Sequence, residues 1–268
     1  MSDFIVSARK YRPATFSSVV GQKHITSTLK NAIERGQLAH AYLFCGPRGV
    51  GKTTCARIFA KAINCLHPEG AEACNTCESC RSFNDGRSLN IHELDAASNN
   101  SVEDIRSLIE QVRIIPQVGR YSVFIIDEVH MLTTAAFNAL LKTLEEPPAH
   151  VIFVLCTTDP QKILETILSR CQRFDFHRIG NEDIEHRLSY VCEQEGFDYD
   201  DEALAIVAYK QPVTRAQVAA IRGVNSDGVI RSLTVRGLVR EDGVDEDSRA
   251  ALLVTSGLFL EHLGLESL

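Results

Sequence analysis

No apolar run in this sequence approaches the length of a membrane span, and no excess of basic residues coats it. The first absence excludes a transmembrane helix, which needs about 20 consecutive apolar residues. The second excludes phosphate attraction by the molecule as a whole. The formal net charge is −7 at pH 7, so any nucleic-acid contact must come from a local basic arrangement. Met1-Ser2-Asp3 opens no signal peptide, which makes the cytoplasm the expected compartment. Cysteine, by contrast, is not scarce. Nine cysteines in a chain expected in a reducing compartment argue for metal ligation or buried thiols over disulfides. The remaining composition is that of a globular protein, with 268 residues, 44% hydrophobic and 24% charged, enough for one large or two modest domains.

One stretch organises the chain. Ala41-Tyr42-Leu43-Phe44-Cys45 reads as a buried strand of a parallel sheet, followed by Gly46-Pro47-Arg48-Gly49-Val50-Gly51-Lys52-Thr53 and a segment of helical periodicity (Ala56, Ile58, Phe59, Ala60, Ile63). Strand, glycine-rich turn and helix in that order are the context that a G-x-x-x-x-G-K-[ST] match requires. Gly46 and Gly51 let the backbone curl until successive N–H groups face one concavity, and the helix dipole adds positive potential there. Lys52 can reach the β- and γ-phosphates of a nucleotide, and the Thr53 hydroxyl can ligate Mg²⁺, with Thr54 completing the helix start. A plain glycine-rich turn is the alternative.

Upstream, Arg9-Lys10-Tyr11-Arg12-Pro13 and then Thr15 to Gln22 form a lead-in to a helix expected from about His24 to Arg35. With Tyr11, Arg12 and Val20, this lead-in can fold over a nucleotide's base. A solvated arm satisfies the composition equally.

Downstream, Cys65, Cys74, Cys77 and Cys80 are spaced C-x8-C-x2-C-x2-C. Two overlapping C-x-x-C turns can point three thiolates at one centre, and Cys65 at the helix end supplies a fourth, the donor set of a closed structural zinc site. Asn75, Glu69-Gly70 and Gly86 supply the loop chemistry. A redox motif would need a thioredoxin-like helix start, which is absent. Cys45, Cys55, Cys156, Cys171 and Cys192 stand singly among apolar residues and read as small core side chains.

A second strand, Ile91 to Asp95, leads to a helix capped by Ser101 and running to about Arg113, with Glu103 or Asp104 in its first turn. Arg106 and Arg113 share a face that can touch a phosphate backbone or simply be solvated. The run Tyr121 to Glu128 is a buried strand ending in two acids, at the carboxyl end where open α/β sheets bind ligands. There Asp127 can hold Mg²⁺ through water, and Glu128 can polarise the water that attacks the γ-phosphate. After a helix from Ala135 to Leu144, the strand Val151 to Leu155 ends at Thr157-Thr158-Asp159. A hydroxyl there can sense the γ-phosphate or merely cap a helix. Arg170, in Ser169-Arg170-Cys171, stands at a sheet edge, where it can serve a neighbouring subunit's ATP as a finger in trans or be an ordinary surface arginine.

Together, Gly46 to Thr53, Val123 to His130, Leu141 to Pro148, Thr157-Thr158-Asp159-Pro160 and Ser169-Arg170-Cys171 resemble the tau/gamma family of bacterial DNA polymerase III, the AAA+ motor of the sliding-clamp loader. The resemblance runs from about Val6 to Ala203, and the four cysteines match the family's zinc module. It implies ATP·Mg²⁺ on Lys52 and Thr53, a Walker B pair in Asp127 and Glu128, a sensor in Thr158, and a trans finger in Arg170. It also puts Arg106 where the family tracks primer–template DNA. Other clamp-loader subunits and the sliding clamp are the implied partners.

Beyond Ala208 the sequence departs. The family's lid segment of the type G-x-x-R-D-A is missing, as is the oligomerisation collar. Ala203 to Arg215, Ile221 to Asp227 and Gly237 to Leu265 are instead similar to the second winged helix of segregation and condensation protein B. Read from the residues, Thr214 caps a helix ending near Gly223, Ser226 or Asp227 caps another that Gly237 terminates, and a hairpin through Asp242-Gly243 and Asp245-Glu246-Asp247 forms the wing. Val218, Ile221, Val229, Ile230, Leu233 and Leu238 suffice for a small core. From Ala205 onward there are 7 Lys/Arg and 8 Asp/Glu, so a protein-binding or structural wing fits better than a DNA reader.

The expected fold is thus α/β: an AAA+ parallel sheet with flanking helices and a four-cysteine insertion, then a small α+β winged helix. The expected domains are 1–179 for the ATPase (with the zinc module at about 65–86), 180–203 for the start of a helical lid, and 204–268 for the winged helix. Two functions fit this plan. One is an ATP-hydrolysing clamp-loader subunit; the other is an ATP-binding adaptor or chromosome-segregation module whose tail binds protein.

Overall fold

The computed structural model describes residues 11–180, 183–184, 186–187, 190, 201–245, 248–257 and 259. Arg9, Lys10, Cys192, the wing acids Glu246 and Asp247, and the apolar stretch after Phe259 lie outside the described residues. Two compact units emerge: Pro13–Arg178, and Ile179–Leu268 together with Met1–Arg12.

The first unit is built on a five-stranded parallel sheet of order β2-β3-β4-β1-β5. Its strands are β1 (Ala41–Cys45), β2 (Ile91–Asp95), β3 (Ser122–Asp127), β4 (Val151–Thr157) and β5 (Gln172–Asp175). The three central strands, β3, β4 and β1, are buried almost throughout, as continuous apolar runs must be when helices cover both faces. Alternation along each strand then separates two cores. Tyr42, Phe44, Val123, Ile125, Ile152 and Val154 face one way, against α1 (Lys23–Glu34), α2 (Lys52–Ile63) and α3 (Glu78–Asn84). Leu43, Phe124, Ile126, Phe153 and Leu155 face the other way, against α4 (Val102–Val112), α5 (Thr134–Glu145) and α6 (Glu165–Leu168). Helix ends follow local chemistry. Ser101 and Asp104 form a reciprocal capping box at α4, and Thr133 caps α5 through the Ala136 amide.

Thr157 extends β4 beyond the expected Leu155, and Glu128 leaves the strand at φ 46° to start the 3₁₀ turn Val129–Met131. Cys45, Cys55 and Cys156 are buried as core side chains and Cys171 is half-buried, with burial pushing the thiols of Cys55 and Cys171 up to about 12.

The second unit contains α7 (Asp201–Lys210), β6 (Val213–Thr214), α8 (Arg215–Arg222), α9 (Asp227–Val235), β7 (Val239–Val244) and β8 (Ala251–Thr255). Its strands form an antiparallel sheet of order β6-β8-β7. Thr214 caps α8 through the Gln217 amide, and Gly223 ends that helix in the left-handed region. Leu204, Val207, Val218, Ile230, Leu233, Leu238 and Leu253 share one core. The expected hairpin is β7 and β8: Asp242 and Gly243 lie within β7 at a register shift between Glu241 and Val244, where the strand bulges, and the Asp245 amide bonds the Ala250 carbonyl at the turn. One local expectation changes. Ile221, expected in the core, is 53% exposed, because the short α8 fully buries only Val218.

Candidate nucleotide site and cysteine cluster

β1 delivers the chain to the phosphate loop at the carboxyl edge of the sheet. Gly46 takes φ 149°, and a Cβ there would lie 2.5 Å from the Phe176 carbonyl oxygen, so no other residue fits without moving the backbone. Gly51, at φ 94°, is the left-handed N-cap from which α2 starts. Pro47, Arg48, Gly49 and Val50 complete the loop, and Thr54 lies in the first turn of α2. Lys52 is nearly buried, and its ammonium donates to the carbonyls of Gly46 at 2.8 Å and Pro47 at 2.7 Å. Burial holds that ammonium below the ordinary lysine range, while the nearby Glu128 charge acts in the opposite direction. A cation held over the mouth of a curled backbone fits an anionic ligand of phosphate type.

The ends of β3 and β4 complete the arrangement. The Thr53 hydroxyl donates to Asp127 Oδ2 at 2.6 Å, and the Glu128 amide donates to the other Asp127 oxygen at 3.0 Å. Two hard oxygens side by side are the donors Mg²⁺ prefers, so these residues fit that ion. Glu128 Oε2 accepts from the Thr158 amide at 3.2 Å and the Thr158 hydroxyl at 2.9 Å. Lys52, Thr53, Asp127, Glu128 and Thr158, spread over more than a hundred residues of sequence, therefore converge on one edge.

The other candidates lie elsewhere. Arg170 rests on Glu145, with Nη2 to Oε1 at 2.8 Å, and donates to the Thr166 carbonyl at 2.6 Å; neither group belongs to the phosphate loop. Arg106 is exposed on α4. Val20 belongs to the first unit, two residues before the phosphate-loop contact made by Gln22. Tyr11 and Arg12 belong to the second, where the Arg187 guanidinium donates to the Tyr11 carbonyl.

Sequence reasoning overlooked two residues here. His130 Nδ1 lies 3.3 Å from Glu128 Oε2 and 3.1 Å from Thr157 Oγ1, so it meets the acid across the 3₁₀ turn. Its place two residues after Glu128 was the available signal. Gln22 is fully buried and donates Nε2 to the carbonyls of His177 at 2.6 Å and Val50 at 3.4 Å. Nothing in its sequence neighbourhood marks it.

The four cysteines Cys65, Cys74, Cys77 and Cys80 bring their sulfurs within 4.8 Å of one another. Cys65 and Cys74 are 3.4 Å apart and Cys65 and Cys77 3.9 Å, bracketing the edge of about 3.8 Å that a tetrahedron of Zn–S bonds requires. Backbone amides of Cys74 and Cys77 donate to the sulfurs of Cys65 and Cys74, each at 3.3 Å. Hydrogen bonds from Thr76 hold the Cys74 thiol down at about 5. Asn75 turns the chain at φ 57° between the ligand pair. The donor set fits zinc.

Comparison with known proteins gives these features a family. The family described as DNA polymerase III, delta subunit, matches residues 21–180, and Segregation and condensation complex subunit ScpB matches residues 200–268. DNA polymerase III subunit tau of Bacillus subtilis (strain 168) is 52% identical over 200 residues, 75% of this chain and 36% of that protein. The corresponding subunit of Escherichia coli (strain K12) is 45% identical, covering 93% of this chain and 37% of its own length. DNA polymerase III subunit gamma of Buchnera aphidicola is 37% identical, covering 90% and 67%. The chain thus spans little more than a third of the Bacillus and Escherichia relatives. Among solved structures, the Thermotoga maritima RuvB Holliday junction branch migration motor aligns at TM-score 0.53 and 17% identity, covering 96% of this chain and 99% of that one; it shares the AAA+ fold. From its phosphate loop to its last parallel strand, the chain belongs to the DNA polymerase III tau/gamma family.

Proposed function

We propose that the chain is an ATP-hydrolysing motor subunit of a DNA polymerase III clamp loader, loading the sliding clamp on primed DNA. The convergence of Lys52, Thr53, Asp127, Glu128 and Thr158 on one sheet edge carries this reading. The phosphate-loop amides and Lys52 bind the β- and γ-phosphates. Thr53 and Asp127 hold Mg²⁺, which when bound neutralises charge developing on the phosphate oxygens. Glu128 polarises and aims the attacking water, and Thr158, which donates to the same carboxylate, sets its direction. Phosphoryl transfer needs little covalent help from the protein, so positioning by these side chains accounts for the chemistry.

Arg170 would act on a neighbouring subunit's nucleotide, leaving Glu145 to do so. Val20 contacts the base, and Arg106 meets primer–template DNA on the exposed face of α4. Zinc on the four cysteines has a structural role, since the donor set leaves no open position. The tail from 204 to 268, whose charge is close to balanced, contacts protein rather than duplex DNA. The adaptor reading, in which ATP is held without turnover, would draw on the ScpB-like tail, but the DNA polymerase III relatives favour the motor.

The test is ATP turnover measured with the other clamp-loader subunits, clamp and primed DNA. Stimulated turnover that vanishes in Glu128→Gln is the expected result, and ATP binding without stimulated turnover in the wild-type protein would favour the adaptor.

A further inference from the structure

The cysteine module touches more than its own ligands. Between Cys65 and Cys74 the chain makes a tight hairpin in which Glu69 and Glu72 exchange backbone hydrogen bonds at 3.0 and 3.1 Å, with Gly70 at φ 61°. This hairpin holds Glu72 two residues from Cys74, between the buried Ala71 and Ala73. The Glu72 carboxylate accepts from the amides of Phe16 at 2.9 Å and Ser17 at 3.1 Å, and pairs with Lys30 of α1 at 2.8 Å. Phe16 and Ser17 open the 3₁₀ turn Phe16–Ser18, whose first amides have no partner inside the turn. A carboxylate therefore satisfies two donors that the turn itself cannot.

The same segment is fastened at its other end. Gln22 reaches the Val50 carbonyl inside the phosphate loop, and Phe16 packs in the core against α2. Residues 16–22, with Val20 among them, are thus pinned between the cysteine module and the phosphate loop. From the opposite side Lys61, nearly buried on α2, donates to Asn75 at 2.5 Å and Asn84 at 3.4 Å, tying the module to the helix that begins at Lys52. A metal on Cys65 and Cys74 would close the loop that carries the hairpin, and closure fixes where Glu72 can stand.

We infer that the metal-loaded cysteine module is a strut for the nucleotide site, and that Glu72 is the positioning residue through which it fixes residues 16–22 on the base side. The inference rests on reading the phosphate loop as an ATP site with residues 16–22 on its base side. It separates base-side from phosphate-side binding, because among the described residues the Glu72 carboxylate bonds Phe16, Ser17 and Lys30, none of them in the phosphate loop or α2.

The test is equilibrium titration of the full chain with ATP and, separately, with inorganic triphosphate, alongside elemental analysis for zinc. Wild-type, Glu72→Gln and chelator-stripped proteins are compared. Glu72→Gln should keep its zinc, bind ATP about tenfold more weakly, as loss of one acceptor and of the charge behind the other implies, and bind triphosphate unchanged. Stripping the metal should weaken ATP by at least as much. A merely structural role would weaken both ligands together. Equal ATP affinity in Glu72→Gln and wild type, or equal loss for both ligands, would overturn the strut while leaving the ATP site standing. Wild-type protein that fails to bind ATP at all would overturn both. Should Glu72→Gln fail to fold, unchanged ATP affinity in the stripped wild-type protein would overturn the strut by itself.

Discussion

The Thr158 hydroxyl and amide both donate to the same oxygen of Glu128, at 2.9 and 3.2 Å. The acid proposed to aim water is therefore held by the residue proposed to sense the γ-phosphate, and either role implies the other. His130 adds a third neighbour at 3.3 Å. Glu128→Gln keeps the shape and removes the charge, so it should bind ATP normally and lose roughly 10²–10⁴-fold in turnover. Filter binding and a phosphate-release assay on one preparation check both halves; normal turnover would show that another acid acts.

Thr158→Val removes the hydroxyl donor and leaves the amide. Turnover is expected to fall about 10²-fold, with ATP affinity within twofold of wild type, because aim is lost while charge remains. Steady-state kinetics would reveal the split, and a rise in KM with kcat unchanged would contradict it.

Lys52→Ala should abolish saturable ATP binding in a calorimetric titration. The substitution removes the cation at the phosphate site and leaves the Gly46 and Pro47 carbonyls without their donor. Retained binding would mean that the loop amides alone suffice.

Arg170 should matter only in an assembly. The isolated chain is expected to hydrolyse ATP slowly with or without Arg170→Ala, since that guanidinium rests on Glu145. In the assembled loader the same change should cost about 10³-fold or more, the worth of an arginine finger. Fast turnover by the isolated chain, insensitive to Arg170→Ala, would remove the trans role.

Freshly reduced protein should carry about one zinc per chain by elemental analysis, and Cys77→Ser should lose it. Structural zinc sites are worth on the order of 10 kcal/mol locally, so thermal unfolding should shift down on chelation. Metal-free wild-type protein with an unchanged melt would refute the assignment.

Much of the site was legible because its signals are local. The strand–loop–helix order, the glycines at positive φ and the C-x2-C-x2-C spacing each depend on a few neighbouring residues. The acids at the end of β3 are commonplace alone; they were readable because a phosphate loop stands in the same chain. Gln22 and Glu72 were not legible in the same way. Each acts on a partner that only the tertiary fold brings near, such as Glu72 on Phe16 across 56 positions. Ile221 was misplaced for a related reason: helix phase in so small a unit is decided by packing partners, not by pattern alone. α7 shows the same dependence, since Leu204 and Val207 join the core of the tail, so a truncation after Tyr209 would strip a helix of its cover.

The strand order has a consequence for synthesis. Within this five-stranded sheet β1 is the first strand made, yet its two neighbours, β4 and β5, are the last. A nascent chain must carry the Ala41–Cys45 strand, wholly buried in the fold, unpaired on the order of ten seconds at ordinary elongation rates. The phosphate loop, anchored through the Gly46 amide to the Thr157 carbonyl, cannot close before β4 has left the ribosome. Folding of this unit is accordingly a late and non-local event, and a chain released short of residue 157 would present a sticky strand to chaperones rather than a half-built nucleotide site.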